Sequence, residues 1–341
     1  MKEAVLYEKL PRKTVRCKAC QWRCTISPGK WGYCQTRINK DGKLFSVIYG
    51  VVSSINIDPI EKKPVFHYKP GSNCFSLGTY GCNFRCAFCQ NYGISYAQGT
   101  SLNLDQQHLL SPEEAVRMAK KSNADGIAWT YNEPAIWLEY TLDCAKLAKK
   151  EGLYTCWVTN GYATKEAIDL VAPYLDIYRV DLKSFDDKLY QKLIHIPKAD
   201  GVFETTKYVH DKYPRIHIEC VTNVIPGWND TEENLKALAS WIKKNLGKKT
   251  PWHITRFFPD ADLTNVPPTP RETLLKGREI GKKEGLEFVY LGNIDVEEED
   301  DTFCPKGGNL AIKREGYIIQ IIGVDKAGHC QNCGEDLNIN M

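Results

Sequence analysis

From residue 73 onward the chain repeats one alternation: a short apolar run, a turn, then a longer amphipathic stretch. The runs 74–80, 126–131, 153–159, 175–181, 215–224, 252–258 and 287–290 read as strands. The intervening stretches 134–150, 165–171, 231–246 and 271–283 carry helical periodicity, as do the shorter segments 186–193 and 200–212. Ser111-Pro112-Glu113-Glu114 adds a helix start, with serine as N-cap, proline at the first helical position and glutamate three residues on. Gly152 can stop the helix that begins at Pro134. Strands alternating with helices predict βαβ units on a parallel sheet. Six or seven such units in about 220 residues suit an open, partial (β/α)6-type barrel, because a closed eight-unit barrel usually takes about 250.

Residues 1–72 lack this alternation. Leu44 to Val52 predicts a strand pair or small sheet, and Pro59, Pro64, Pro70 and Gly71 break the chain before the barrel starts. At the other end, Asp295-Val-Glu-Glu-Glu-Asp-Asp301 reads as a solvated acidic linker into a small terminal module. The predicted organisation is 1–72, 73–294 and 295–341.

Charge narrows the functional classes. With 45 Lys+Arg against 42 Asp+Glu, a net charge of +3 makes no case for nucleic acid or membrane as a partner. The start of the chain lacks the apolar core of a signal peptide, and the most apolar stretch, 317–324, is too short to span a bilayer. The expected location is the cytoplasm. Thiols there stay reduced, so 14 cysteines call for another explanation than disulfides. Most are clustered: Cys17, Cys20, Cys24 and Cys34; Cys82, Cys86 and Cys89; and Cys304, Cys330 and Cys333. Clusters of this kind read as metal ligands.

Cys82-Asn-Phe-Arg-Cys86-Ala-Phe-Cys89 directly follows the first barrel strand. A structural zinc takes four ligands and an electron-transfer [4Fe–4S] cluster four cysteines. Three thiolates at the C-terminal end of a strand, where barrel active sites sit, leave one iron open to a substrate or cofactor. A zinc ion completed by His67 or His108 is the alternative donor set. The N-terminal four thiolates suit zinc or a second iron–sulfur cluster equally by spacing. The C-terminal group has one intact knuckle, Cys330-Gln-Asn-Cys333. In Cys304-Pro-Lys-Gly307, glycine replaces the fourth cysteine, so His329 or an outside ligand completes the site, or no metal binds.

The C-x3-C-x2-C spacing, with Phe88 before the last cysteine, resembles the signature of the radical SAM superfamily. The resemblance implies a [4Fe–4S] cluster on Cys82, Cys86 and Cys89, whose open iron is chelated by S-adenosylmethionine. It also implies an external electron donor and a 5′-deoxyadenosyl radical. Thr130-Tyr131-Asn132-Glu133-Pro134 stands where the superfamily usually has a Gly-Gly-Glu loop holding the methionyl amino group; here the glycines are absent, and a helix cap is the other role for this segment. Thr159-Asn160-Gly161, Asp181-Leu-Lys183, Asn223-Val-Ile-Pro226-Gly227 and Trp252-His253 are similar to segments of pyruvate formate-lyase activating enzymes. The resemblance thus implies a cofactor pocket of Phe88, Tyr131, Asn132, Glu133, Asn160, Asp181, Lys183 and His253.

The order of features, from the four-cysteine module through Pro-Val-Phe-His67-Tyr to the C-terminal knuckle, resembles the AmmeMemoRadiSam system radical SAM enzymes. That implies a Memo-like or AMMECR-type partner, with a protein or small molecule as substrate, and glycyl-radical activation as one option. No single catalytic residue stands out. The competing class is a non-catalytic metal-binding adaptor, with zinc modules at both ends of a relic barrel.

Overall fold

A computed structural model describes residues 1–96, 108–294 and 300–341. The organising element is an eight-stranded sheet whose strands lie side by side in chain order. They are β1 (Ser54–Pro59), β2 (Asn73–Gly78), β3 (Gly126–Trp129), β4 (Tyr154–Thr159), β5 (Ile177–Asp181), β6 (His217–Val224), β7 (Trp252–Arg256) and β8 (Val289–Gly292). β2 through β8 are parallel, and β1 runs antiparallel to β2 at one edge. Among the described residues no ladder joins β8 to β1.

Parallel neighbours require crossovers. These are supplied by α1 (Pro112–Lys121), α2 (Leu138–Lys150), α3 (Lys165–Val171), α4 (Asp200–Lys212), α5 (Glu232–Leu246) and α6 (Arg271–Lys283). Three of these starts, those of α1, α3 and α5, are capped by a side chain. The Ser111 hydroxyl accepts from the Glu114 N–H, Thr164 from Ala167 and Thr231 from Asn234. Helix α2 ends at Gly152, whose φ of +74° a side chain would resist. The seven parallel strands begin or end within two residues of their predicted bounds.

Strand β1 is the one the pattern did not predict. It ends on Pro59, and its Ile57 is half exposed, so it reads as a loop. As an edge strand it tolerates both.

The N-terminal residues form two small antiparallel sheets whose core is continuous with that of the eight-stranded sheet. They are tied to it by a fully buried ion pair. Arg37 donates to both carboxylate oxygens of Glu139 on α2, at 2.9 and 2.8 Å, and to the Ile136 carbonyl. A bidentate pair of this kind fixes orientation as well as contact.

The C-terminal module packs beneath the N-terminal ends of β6, β7 and β8. Phe66, Phe288 and Tyr290 share a buried cluster there with Cys304, Ile312, Leu337 and Ile339. At its centre is Glu219 of β6, wholly buried. It accepts from the backbone N–H groups of Phe66 and His67 and from the ring Nε2 atoms of His217 and His253. The His67 Nδ1–H donates to the Leu337 carbonyl, and its Nε2 pairs with the Tyr290 hydroxyl at 2.7 Å. Burial pushes His67 down to about 3, so the ring is neutral.

Of the acidic run, residues 295–299 lie outside the described residues. Its last two members are not solvated. Asp301 accepts from the Arg314 backbone N–H, and the Asp300 carbonyl accepts from the Arg314 guanidinium. No helix among the described residues is long and apolar enough to cross a membrane.

Candidate functional site

The C-terminal ends of the parallel strands enclose a cavity of about 370 Å³. That lies within the roughly 300–1,000 Å³ typical of small-molecule sites. Cys82, Cys86 and Cys89 form part of its wall, on the loop leaving β2.

The loop is shaped by its own sequence. Gly81 adopts φ +82°, and a Cβ there would stand 2.4 Å from Thr36 Cγ2 and 2.9 Å from the Cys34 carbonyl. Arg85 donates back to the carbonyls of Cys82 and Phe84. The Arg85 and Ala87 N–H groups bond to Ile194 and Leu193, and the Ala87 carbonyl accepts from Asp262. Phe84 and Phe88 are buried beside the thiols, and Phe88 meets Phe257 edge-on.

Burial raises all three thiols, Cys86 to about 12 and Cys82 well above its ordinary value. Buried thiols of this kind ionise only when a metal offsets the charge. The Asn83 amide Nδ2, buried beside Cys82, has no hydrogen-bond partner. It is a spare donor of the sort that bonds to cluster sulfur. The donor set and this orphaned N–H fit an iron–sulfur cluster with one open position. Neither histidine considered as a zinc ligand joins the triplet: His67 lies in the base network, and His108 pairs across to Val52.

Seven of the eight predicted pocket residues line the cavity: Phe88, Tyr131, Asn132, Glu133, Asn160, Asp181 and Lys183. Asn132 clamps the triplet loop, donating to the Gly81 carbonyl at 2.7 Å and accepting from the Thr79 N–H. Tyr131 takes φ +71°, which turns its hydroxyl onto the Asp58 carboxylate at 2.9 Å.

Glu133 is buried and engaged on both oxygens. It accepts from the N–H of Ala135, the N–H of Asn160 and the Thr159 hydroxyl. Burial nevertheless raises it to about 7, against the lowering effect of those bonds. It therefore caps the helical turn Pro134–Trp137 and also joins the ends of β3 and β4. Asn160 continues the chain of contacts, donating to the Asn83 side-chain carbonyl at 2.8 Å.

Asp181 lies between two cations, Arg179 and Lys183, and both donate to it. Burial alone would raise its carboxyl, but the two charges hold it below the ordinary range. Lys183 also stands 5.7 Å above the Phe88 ring. The opposite wall carries Lys62 and Lys63, both paired with Asp58.

His253 is the exception. It belongs to the base network on Glu219, stacked on Tyr290, and not to this cavity. Lys63, Asp58 and Arg179 were not predicted. Lys62 and Lys63 follow the one unpredicted strand, and Arg179 alternates inward with Asp181 on β5, a signal that strand periodicity could have supplied.

The N-terminal cysteines Cys17, Cys20, Cys24 and Cys34 all line one small enclosed cavity together with Arg37. This module abuts the triplet loop. Trp22 donates from its indole to the Asn83 carbonyl at 2.8 Å and stacks on Tyr33 at 4.0 Å. Among the described residues, Cys304, Cys330 and Cys333 are the one group that brings three metal-ligating atoms within 4.8 Å of one another.

Comparison with known proteins agrees with this geometry. Residues 76–242 match the family described as the Radical SAM superfamily. The chain is 38% identical to the uncharacterized protein MJ0808 of Methanocaldococcus jannaschii, over 99% of each chain. It is 26% identical to the pyruvate formate-lyase 1-activating enzyme of Escherichia coli K12, over 48% of this chain and 65% of that protein. A radical SAM methyltransferase from Sphaerobacter thermophilus has a similar fold, with TM-score 0.50 and 18% identity over 65% of this chain and 66% of that one.

Proposed function

The chain belongs to the radical SAM superfamily, and from that premise we propose that Cys82, Cys86 and Cys89 hold a [4Fe–4S] cluster that binds S-adenosylmethionine. When bound, the two supply a reductive cleavage to methionine and a 5′-deoxyadenosyl radical, which takes a hydrogen atom from substrate. The observation that carries the reading is the meeting of three thiols, Cys82 buried and Cys86 and Cys89 half-buried, an unpartnered Asn83 amide and the Arg179–Asp181–Lys183 charge group in one strand-end cavity.

The chain's residues divide the work. Phe84, Phe88 and Phe257 keep water from the triplet. Asn132 and Glu133 act by positioning, since their polar atoms are already engaged on the β2, β3 and β4 loops. Lys183 and Arg179 offer N–H donors to a carboxylate or ribose hydroxyl, and Asp181 keeps both cations in place. Tyr131 and Asn160 complete the wall.

The Escherichia coli relative is an activating enzyme for another protein. We extend that substrate class here: a protein, with a glycyl radical as one product and a Memo-like or AMMECR-type protein as candidate partner. An external one-electron donor is required. Anaerobic incubation with reductant, S-adenosylmethionine and each candidate protein tests this. The expected result is that one protein accelerates cofactor consumption above a slow substrate-free rate and acquires a mass or radical change; an unchanged rate and an unchanged mass with every protein would reject the protein class.

The N-terminal cysteines bind a second metal centre, zinc or iron–sulfur, that supports folding. Four cysteines within 18 residues line one cavity, and metal binding by such a set contributes folding energy to a segment with little core of its own. Substituting Cys20 and Cys24 by serine is expected to lower thermal stability and solubility, while cofactor cleavage persists in protein that stays folded. Unchanged stability with all four thiols alkylatable in the folded protein would reject the centre.

A further inference from the structure

We infer that Cys304, Cys330 and Cys333 form a zinc site with three protein thiolates and a fourth position open to solvent, which takes an external thiolate. The three sulfurs lie within 4.8 Å of one another, and Cys304 Sγ and Cys333 Sγ are 3.5 Å apart. One tetrahedral zinc, with Zn–S near 2.3 Å, sets its sulfurs about 3.8 Å apart. Cys304 and Cys330 are buried and Cys333 is exposed, so the site opens at its edge.

The two loops that carry the sulfurs are built alike. In each, the residue four positions after the first cysteine is a glycine with positive φ, Gly308 at +67° and Gly334 at +71°. Each glycine donates its N–H to that cysteine's carbonyl at 2.8 Å. The third position of one loop is Cys333; that of the other is Gly307, whose N–H points to Cys304 Sγ at 3.4 Å. Gly307 does not use the left-handed region, and a Cβ there would lie 3.8 Å from Cys333 Sγ. The second knuckle is therefore folded as if for a fourth ligand and lacks only the side chain.

Among the described residues no further cysteine or histidine joins the three sulfurs, and the Asn309 side chain is what stands at the gap. His329 lies outside the group of close ligand atoms and faces Asp325. The nearest side-chain atom to the absent Cβ is Asn309 Nδ2, at 2.7 Å. An amide N–H is a hydrogen-bond donor and no zinc ligand, and it favours an anion at that point. A soft anionic donor, a thiolate, meets both the metal and the amide.

This inference is independent of the chemistry at the barrel mouth, and its test reads the metal directly. The full-length protein is stripped of zinc, loaded with Co(II) and compared with its Cys333→Ser variant, so that the difference isolates this site; Cys333 is exposed, and circular dichroism of the variant checks that lost cobalt is not lost fold. One cobalt equivalent is expected to disappear in the variant. In the parent, adding free cysteine is expected to raise the sulfur-to-cobalt charge-transfer intensity of that equivalent by about one third, as three thiolates become four. In Gly307→Cys the response to added cysteine should vanish. Equal cobalt content in parent and Cys333→Ser would overturn the site. A Cys304–Cys333 disulfide under reducing conditions would do the same. A full four-ligand spectrum without added thiol, lost in His329→Ala, would overturn the open position.

Discussion

Replacing Cys82, Cys86 and Cys89 together with alanine is expected to abolish reductive cleavage of S-adenosylmethionine and to remove the iron bound at the barrel mouth. The three thiols share one loop and one cavity, so no other cysteine can replace them there. Metal on Cys17, Cys20, Cys24 and Cys34 should remain, because those residues close a separate cavity. The loop itself is held by Arg85, Asn132 and backbone bonds to Leu193 and Ile194, none of which is altered. Loss of activity with an unchanged unfolding midpoint would separate a ligand role from a structural one. Cleavage surviving in the triple variant would remove the assignment. Combined with Cys333→Ser, the triple variant also reports the N-terminal centre's identity, since the iron or zinc that then persists belongs to that centre.

The largest effect on stability is expected at Glu219. Its carboxylate gathers two backbone N–H groups and two imidazoles in a fully buried layer. Glu219→Ala strands all four donors and cuts the tie between the Phe66–His67 segment, β6 and β7. Breaking a buried charged network by removing one partner costs about 3–5 kcal/mol, which denaturant unfolding would read as a lowered midpoint. The same site sets a pH dependence. Burial by itself raises a carboxyl, but the His217 and His253 hydrogen bonds and charges hold Glu219 well below the usual carboxylate range. A depressed carboxylate contributes stability that is fully present above its unfolded value of about 4.3 and is lost as pH falls toward its folded one. Wild type should therefore weaken progressively below that pH, and Glu219→Gln should show a flatter acid limb from a lower plateau. Identical acid limbs in the two proteins would contradict this reading.

Much of this architecture is legible in the sequence because local and global signals agree. Ser111 and Thr231 cap where the periodicity begins, and the runs Gly126–Trp129 and Tyr154–Thr159 are buried on both faces, as parallel strands under helices are. The triplet is legible because its chemistry needs fixed spacing. His253 shows where this kind of reasoning ends. Its strand alternates, and Thr255, two residues on, does line the cavity. His253 faces the same interior, but two residues rise about 6.6 Å along a strand, which puts it in the base layer with Glu219. Periodicity gives the face and not the height. Glu133 was legible as a site residue, yet only the structure reveals that its oxygens are taken up by Ala135, Thr159 and Asn160. Those donors come from two strand ends brought together by the ladder, a contact no local pattern encodes. The half-exposed, proline-ended β1 was hidden for a local reason, because it reads as a loop, and the Lys62–Lys63 pair behind it was hidden with it.

The most direct test of the central claim is anaerobic reconstitution of the wild-type protein with iron and sulfide, reduction, and incubation with S-adenosylmethionine, followed by quantification of 5′-deoxyadenosine. 5′-Deoxyadenosine and methionine are expected in equal amounts, formed only when reductant is present. A fully loaded, reduced protein that forms neither would contradict the claim.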